Sequence, residues 1–194
     1  MNSDGWTAAV LAGGRSRRMG TDKAGLVLPD GRTLLARQID LLEELNPSAL
    51  FVSARSGQEL PALPRRVQRI DDPGTHGPLG GVVALLRASP YPRVLVLAVD
   101  LPRLDRSTLQ ALLAPDREQL GVLLELRGEP EPFPALYPRS WLRVAELALE
   151  TGHLALRPLL ASSEAREHFR RVTAPAPGAL LNWNSPIDYQ LGTE

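Results

Sequence analysis

The chain has 194 residues, enough for one α/β domain with a substantial core and short for two. Its zero formal net charge and ordinary content of 43% apolar and 23% charged residues give no reason to expect nucleic acid or an anionic membrane as a partner. The absence of cysteine excludes disulfides and thiolate metal sites, and the lack of a signal peptide or of a span of roughly 18 apolar residues leads us to expect a cytoplasmic protein.

The first half of the chain alternates predicted strands with predicted helices. Apolar runs bounded by Gly, Pro or Asp predict extended segments at 6–11, 25–29, 49–53 and 67–70. Leucine and isoleucine at helical spacing predict a helix over 34–45, with Thr33 as its N-cap. A short helix is expected near 57–60, and Pro78 is expected to start a helix that runs to about Ala88.

The second half continues this alternation. Residues 93–99 form the most hydrophobic run and predict a central strand. Ser107 is expected to cap a helix that ends near Leu113. Strands at 121–126 and 133–137 are expected to flank a loop that is rich in Pro and Glu. The remaining predicted elements are helices over 139–150, 154–161 and 185–191 and a strand over 169–172.

This order of elements predicts the fold class. Strands that alternate with helices indicate an α/β protein, a single Rossmann-like three-layer domain with a mainly parallel but mixed sheet. In such a sheet the functional loops gather at the carboxyl ends of the strands. The most distinctive segments of the sequence, at 12–23, 71–81 and 100–102, all follow predicted strand ends.

The segment after the first strand is rich in glycine and in basic residues. It runs from Leu11 to Lys23 with the sequence LAGGRSRRMGTDK, and Lys23 is the only lysine among the 22 basic residues of the chain. Glycines allow close approach of the backbone to a ligand, and the free N–H groups of such a loop bind anions. The combination suits a triphosphate, while a flexible basic surface loop is the alternative. The spacing matches neither a P-loop nor the dinucleotide-binding G-x-G-x-x-G pattern.

Carboxylates follow two of the predicted strands. Asp100 closes the central strand and is well placed for Mg²⁺, which prefers hard oxygen ligands; a capping Asp in a tight turn is the alternative. Asp71 and Asp72 precede a Gly-Pro-Leu-Gly turn at 77–80, whose backbone N–H groups suit an anion, although a plain loop and helix cap would also explain them. His76 shows no ligand-like spacing with other histidines, so we expect no zinc site.

The pattern L-A-G-G-x-S-x-R-M-G-x-D-K over 11–23 resembles the signature loop of molybdenum cofactor guanylyltransferases, nucleotidyltransferases of the nucleotide-diphospho-sugar transferase type. The resemblance covers nearly the whole chain and is strongest at 8–23, 71–102 and 181–188. It implies an enzyme that uses Mg²⁺ to transfer GMP from GTP to Mo-molybdopterin. It further implies one domain over 1–194, with a nucleotide-binding half (1–105), an acceptor-binding half (106–194), and proteins that deliver molybdopterin or receive the product.

The resemblance also implies roles for individual residues. Lys23, Asp100 and Arg17 are the expected catalytic residues, and Asp100 is the expected metal ligand. The expected GTP contacts are Leu11, Ala12, Gly13, Gly14, Lys23, Ser53, Asp72, Gly80 and Asp100. At the second-strand end family members often carry Asn near the nucleobase, so Ser53, with its shorter hydroxyl, is a departure from the pattern.

The end of the chain matches the family pattern N-x-N-x-P-x-D over 182–188, which implies that Asn182 and Asn184 bind molybdopterin. Two Asn side chains two residues apart on an extended segment point the same way, and their amides suit the polar edge of a pterin. A helix start with Asp188 in its first turn is the alternative. Arg157 is a candidate contact for the phosphate of the acceptor.

Other functions fit parts of this pattern. Cytidylyl transfer to molybdopterin is the nearest alternative, although those relatives tend to have Ala in place of the second loop glycine, Gly14. A sugar-1-phosphate nucleotidyltransferase is the next, but such enzymes are usually longer and lack the ending at 182–188. A non-catalytic nucleotide-binding module and a molybdopterin delivery chaperone are the alternatives from a different class.

Overall fold

The computed structural model describes residues 5–13, 22–114 and 120–183. Within them the strands are β1 (Thr7–Leu11), β2 (Ala49–Arg55), β3 (Val67–Asp72), β4 (Arg93–Ala98), β5 (Gly121–Leu126), β6 (Glu129–Pro138) and β7 (Phe169–Thr173). The helices are α1 (Leu34–Glu43), α2 (Gly77–Ala88), α3 (Arg106–Leu112), α4 (Leu142–Glu150) and α5 (Leu156–Ala161). Gly14, Arg17, Asn184 and the predicted helix over 185–191 lie outside the described residues.

The strands form one mixed sheet in the order β3-β2-β1-β4-β6-β5-β7. Strands β1 to β4 are mutually parallel, β6 runs antiparallel to both of its neighbours, and β7 is parallel to β5. The predicted α/β class and the central position of β4 are therefore confirmed. The chain proceeds from β1 outward to β3 and then returns to the other side of β1, so the strand order reverses between β1 and β4. Ligands of open α/β sheets bind at such a crevice.

Helices cover both faces of the sheet and give the predicted three layers. Alternate residues of β1 point to opposite faces. Ala8 and Val10 join a core cluster that includes the buried side of α1, whereas Ala9 joins a second cluster that includes the buried sides of α2 and α4. Trp141, fully buried, contacts Tyr137 in the second cluster. Because helices fill both faces of the sheet, the ends of the strands are the natural place for a ligand site.

The boundaries of the early elements differ little from prediction. Thr33 caps α1 as expected, since its hydroxyl accepts a hydrogen bond from the N–H of Ala36 at 3.1 Å, but the helix ends at Glu43, two residues before the predicted end. The prediction of a short helix near 57–60 is wrong. Gly57 lies in a tight turn with a φ of +76°, a conformation that breaks a helix and favours glycine, and the residues after it form no regular element.

The cap of α3 is Asp105, so the prediction of Ser107 is wrong. The Asp105 carboxylate accepts hydrogen bonds at 2.8 Å from the N–H of Thr108 and from the Ser107 hydroxyl. Burial raises the pKa of Asp105, but these hydrogen bonds outweigh it and the pKa is lowered overall. Both residue types favour the N-cap position, and here the helix begins at Arg106, two residues earlier than a cap at Ser107 would place it.

The prediction of a loop before residue 133 is also wrong, because residues 129–132 belong to the long strand β6. Arg127 and Gly128 have φ values of +55° and +85°, as a tight two-residue hairpin between β5 and β6 requires. The first half of β6 pairs with β5 alone, since its pairing with β4 is confined to residues 135–138. Prolines are tolerated there because their missing N–H groups break no ladder on the open side.

The identity of the α3 cap can be tested with a matched pair of variants. Asp105→Ala removes the acceptor of the Thr108 N–H and is expected to lower the free energy of unfolding by about 1 kcal/mol. Ser107→Ala removes only an exposed hydroxyl and is expected to change it by less than about 0.5 kcal/mol. Urea unfolding followed by circular dichroism measures both, and an equal loss in the two variants would contradict the assignment.

Candidate active site

Two adjoining clefts open at the carboxyl ends of the parallel strands. The first, of about 650 Å³, lies where β1 and β4 end and is closed on its far side by β6 and by residues 180–182. The second, of about 570 Å³, lies between the end of β1, the end of β3 and the start of α2. Leu11 and Pro78 line both clefts, so the two form one continuous depression. The predicted gathering of motifs at this edge is confirmed.

Lys23 and Asp100 form an ion pair in the first cleft. The Lys23 ammonium donates a hydrogen bond to Asp100 Oδ2 at 2.8 Å, and the two side chains are only 15% and 19% exposed. Lys23 begins a 3₁₀ turn that Asp22 caps, whereas Asp100 follows β4. Two residues that are 77 positions apart in sequence thus place opposite charges on the same cleft. A partly buried pair of this kind holds a positive and a negative group ready for a charged ligand.

Ala12 and Gly13 continue β1 into the cleft and are fixed by the neighbouring strand β2. The N–H of Ala12 donates to the carbonyl of Ser53 at 2.8 Å. A Cβ on Gly13 would lie 3.4 Å from the backbone nitrogen of Arg55, so the loop approaches β2 closely at this point. Ser53 itself is fully buried, and its hydroxyl has no hydrogen-bond partner among the described residues. Its predicted contact with GTP stays a prediction.

Asp72 and the start of α2 bound the second cleft. The Asp72 carboxylate is almost fully buried and accepts a hydrogen bond from the N–H of Gly74 at 2.9 Å. A Cβ on Gly80 would lie 3.2 Å from Asp72 Oδ1, so the helix approaches the carboxylate closely and a side chain here would have to displace it. Asp71, by contrast, is 60% exposed and pairs with Arg69. Of the two candidates, Asp72 is the one that lines the cleft.

The far wall of the first cleft carries Glu131, Phe133 and Arg157. Arg157 donates to the Glu131 carboxylate at 2.6 Å, and that carboxylate is only 13% exposed. Tyr137 braces the same wall, because its hydroxyl donates to the carbonyl of Pro132 at 2.8 Å, and its complete burial raises its pKa. The wall therefore presents a salt-bridged arginine and an aromatic ring to the cleft.

Asn182 completes the first cleft from the C-terminal side. The N–H of Trp183 donates to the carbonyl of Asp100 at 2.9 Å, which ties this segment to the turn that carries Asp100. Trp183 is nearly buried in the core cluster around α1, whereas Asn182 is exposed. The structure thus brings Asn182 to the same cleft as Lys23 and Asp100.

The sequence interpretation did not single out Glu131 and Phe133 as cleft residues, because it placed Glu131 in a loop and Phe133 at the start of a strand without locating either beside Lys23 and Asp100. The signal that could have located them is Arg127-Gly128, a turn pair followed by alternating residues that fit a strand. It also missed Gln58, whose contacts are described below. These three residues are of common types, so the composition of the chain could not mark them as part of the site.

The described residues contain no cluster of three or more His, Cys, Asp or Glu side chains that could hold a metal by themselves. Asp100 offers a single carboxylate, which is the donor type that Mg²⁺ takes when substrate phosphates and water supply its other ligands. Within the same residues, no helix has both the length and the apolar character needed to cross a bilayer.

Comparison with known proteins identifies the family of the chain. The model of the MobA-like NTP transferase domain matches residues 8–170. A probable molybdenum cofactor guanylyltransferase of Opitutus terrae is 34% identical, with 96% of this chain and 94% of that protein covered. A molybdenum cofactor guanylyltransferase of Pseudomonas aeruginosa is 32% identical, with 91% and 89% covered.

The fold has counterparts among solved structures. Molybdopterin-guanine dinucleotide biosynthesis protein A from Archaeoglobus fulgidus matches with a TM-score of 0.73 at 22% identity, over 96% of each chain. The chain belongs to the family of MobA-like NTP transferase domains, which are nucleotidyltransferases. The family suggested by the loop at 11–23 is therefore confirmed, as is the fold type.

Helix α2 packs closely against β1 beneath the clefts, and this packing can be tested through the stability of glycine variants. A Cβ on Gly81 would lie 2.4 Å from Leu11 Cδ1 and 3.3 Å from the Ser53 hydroxyl oxygen, so the Leu11 side chain must shift. The overpacking is expected to exceed the gain in helix propensity of about 1 kcal/mol, so that Gly81→Ala lowers the free energy of unfolding by about 1 kcal/mol. Gly178 has open space around it, and Gly178→Ala is expected to change the same quantity by less than about 0.5 kcal/mol. Urea unfolding of both variants measures the difference, and similar losses would refute the crowding at Gly81.

Proposed function

We propose that this protein transfers a guanylyl group from GTP to the phosphate of Mo-molybdopterin, releasing pyrophosphate and forming molybdopterin guanine dinucleotide. The observation that carries the proposal is the Lys23–Asp100 pair, which lies in a cleft between a glycine loop on one side and the Arg157 and Asn182 wall on the other. The names of the similar proteins from Opitutus terrae and Pseudomonas aeruginosa support guanylyl transfer over the cytidylyl and sugar-phosphate alternatives.

In this proposal residues 1–105 bind GTP. Leu11 and Ala12, whose backbone is held by the neighbouring strands, line the site, and the backbone of Gly13 and Gly14 with the Arg17 side chain receives the phosphates, because N–H groups and basic side chains neutralise their charge. The second cleft, which Asp72 lines and Gly80 adjoins, receives the rest of the nucleotide. Ser53 is fully buried, and this position does not favour direct binding of the nucleotide.

Mg²⁺ is the proposed metal, and Asp100 is the residue that would hold it. The fit rests on a hard carboxylate oxygen that faces the cleft and already holds one cation, the Lys23 ammonium, at 2.8 Å. When bound, the ion neutralises charge on the triphosphate and on the pyrophosphate that leaves. Lys23, which pairs with Asp100, would contribute a second positive charge from the protein itself.

The reaction needs no covalent enzyme intermediate. A phosphate oxygen of the acceptor attacks the α-phosphorus of GTP, the new P–O bond forms, and the bond to the bridging oxygen of the pyrophosphate breaks. The attacking oxygen is already an anion, so no strong base and no activated Ser or Cys is required. Lys23 holds the nucleotide phosphates in line with the acceptor, and catalysis arises from positioning and from neutralised charge.

Residues 106–194 supply the acceptor side. Asn182 lines the cleft, and Asn184 follows it two residues later, so their amides are proposed to hold the pterin. Arg157 is proposed to bind the acceptor phosphate, since a guanidinium can keep one hydrogen bond to Glu131 and donate others. We place the reaction in the cytoplasm, where proteins that deliver molybdopterin and receive the dinucleotide would exchange ligands with this cleft.

The ion pair makes the central prediction. Lys23→Met and Asp100→Asn are each expected to lower kcat/KM by about 100-fold or more, because the first removes a positive charge from the triphosphate and the second removes the carboxylate that would hold Mg²⁺. Lys23→Arg keeps the charge but replaces a compact ammonium with a planar guanidinium, so we expect it to lose about tenfold or more as well. Pyrophosphate release with GTP, Mg²⁺ and Mo-molybdopterin measures these changes.

The matched control for these variants is Asp30→Asn, which breaks an exposed ion pair with Arg32 and is expected to leave kcat/KM unchanged within about twofold. The same assay is run with CTP in place of GTP. A preference for CTP, or full activity in Lys23→Met, would contradict the proposed function, whereas activity that disappears on addition of a chelator and returns with Mg²⁺ would support the proposed metal.

Arg157 allows the acceptor side to be tested separately. Arg157→Gln is expected to raise the KM for Mo-molybdopterin by about tenfold or more, the usual effect of losing a hydrogen bond to a charged group, with no change in the KM for GTP. Arg143→Gln is the control, because Arg143 is 86% exposed and pairs with Glu146 away from the cleft. An unchanged KM for the acceptor in Arg157→Gln would rule out the proposed phosphate contact.

A further inference from the structure

One buried side chain joins the two ends of the glycine loop. The amide nitrogen of Gln58 donates to the carbonyl of Ala12 at 3.0 Å and to Asp22 Oδ2 at 2.5 Å. Ala12 is the residue with which the chain enters the loop, and Asp22 is the residue with which it returns. Gln58 is only 7% exposed, so these hydrogen bonds are shielded from water. A single amide thus bridges the span that the loop must close.

The position of Gln58 is fixed by the strand from which it comes. Its Oε1 accepts a hydrogen bond from the N–H of Arg55 at 3.0 Å, and its own N–H donates to the Arg55 carbonyl at 2.9 Å. These contacts hold Gln58 against the end of β2, after the tight turn at Gly57. They also set the orientation of the amide, because only an oxygen can accept the Arg55 N–H and the nitrogen must then face Ala12 and Asp22.

Each end of the loop that Gln58 holds is adjacent to a residue of the active site. Asp22 uses its other oxygen, Oδ1, to accept a hydrogen bond from the N–H of Ala24 at 3.0 Å, which starts the 3₁₀ turn that carries Lys23. Ala12 is followed directly by Gly13. A shift of Asp22 therefore moves the Lys23 ammonium, and a shift of Ala12 moves the backbone that faces the phosphates.

We propose that Gln58 is a positioning residue for nucleotide binding: it sets the distance between the two ends of the glycine loop and so places Lys23 relative to the loop backbone. The proposal rests on the proposed function, because it assumes that this loop receives a nucleoside triphosphate. Gln58 lines neither cleft, so it acts through its contacts with Ala12 and Asp22. Loss of its contacts weakens the binding of GTP and leaves the acceptor side unaffected.

A double-mutant cycle between Gln58 and Asp22 tests the contact directly. Gln58→Glu sets two carboxylates against each other, and Asp22→Asn sets two amide nitrogens against each other if Oδ1 keeps its capping role. In the double variant the asparagine nitrogen meets a carboxylate oxygen, so a donor and an acceptor face each other again with their roles exchanged. Residues in direct contact show such non-additive behaviour, whereas independent residues do not.

We expect each single variant to raise the KM for GTP by about tenfold, with kcat and the KM for Mo-molybdopterin within about threefold of the wild type. The double variant is expected to recover to within about fivefold of the wild-type KM for GTP, and its remaining deficit reflects the Ala12 carbonyl, which still lacks a donor. Gln58→Met, which has no donor and no charge, is expected to raise the same KM and not to be rescued by Asp22→Asn.

Circular dichroism and melting temperature verify that each variant is folded at the assay temperature, and Gln110→Glu, on the exposed side of α3, controls for the added charge. Additive effects in the cycle, or single variants whose KM for GTP stays within about twofold of the wild type, would overturn the role of Gln58 while leaving the proposed function intact. If wild-type protein binds no nucleoside triphosphate in a thermal-shift titration with Mg²⁺, both proposals fail together. If it binds GTP and transfers GMP, the cycle alone decides the role of Gln58.

Discussion

The parallel pairing of β1 with β4 is the constraint on which the site depends. The two strands stay in register from Thr7 beside Val94 to Leu11 beside Ala98, so they end side by side. The glycine loop and the turn that carries Asp100 must therefore leave the sheet at the same point. Since the chain goes on from β1 toward β2 and from β4 toward the other half of the sheet, the two exits diverge and leave a crevice between them. Lys23 reaches across this crevice to Asp100.

Neighbouring elements hold the crevice in place from both sides. On the nucleotide side, β2 fixes the loop through the Ser53 carbonyl and the Gln58 amide. On the other side, the N–H of Trp183 holds the C-terminal segment against the carbonyl of Asp100. The segments that carry the charged pair are therefore held by hydrogen bonds before a ligand arrives. Less conformational freedom is lost on binding than if both segments were free loops.

Most of the fold could be predicted from the sequence because hydrophobic runs report burial directly. The strand at 93–99 is apolar on both faces and could only be central, which the structure confirms. The start of α3 was harder to predict, since Asp105 and Ser107 are both good N-caps and the choice between them depends on where Leu109 and Leu112 must be buried. The first half of β6 was predicted wrongly because its prolines argue against a strand until the open neighbouring edge is known.

The site could be predicted only where its residues are chemically distinctive. The glycines and the single lysine of the loop, and the aspartates at strand ends, point to an anion and a metal from their types and spacing alone. Gln58 could not be found this way, since a glutamine in a polar stretch is ordinary. Its proposed role depends on hydrogen bonds to Ala12 and Asp22, which are both distant in sequence. The pairing of Arg157 with Glu131 depends likewise on contacts between residues 26 positions apart.

The prolines of β6 have a consequence for what the cleft can admit. An open strand edge normally offers backbone N–H groups to any extended chain, and such edges are sites of unwanted strand addition. The segment of β6 beside the cleft contains Pro130, Pro132 and Pro134, and none of them has an N–H to offer. Its pairing with β5 is irregular between Glu131 and Ala135, so this segment has neither regular alternation nor a full set of donors. A peptide strand would find no ladder there, and the groove stays open to a compact ligand that binds through side chains.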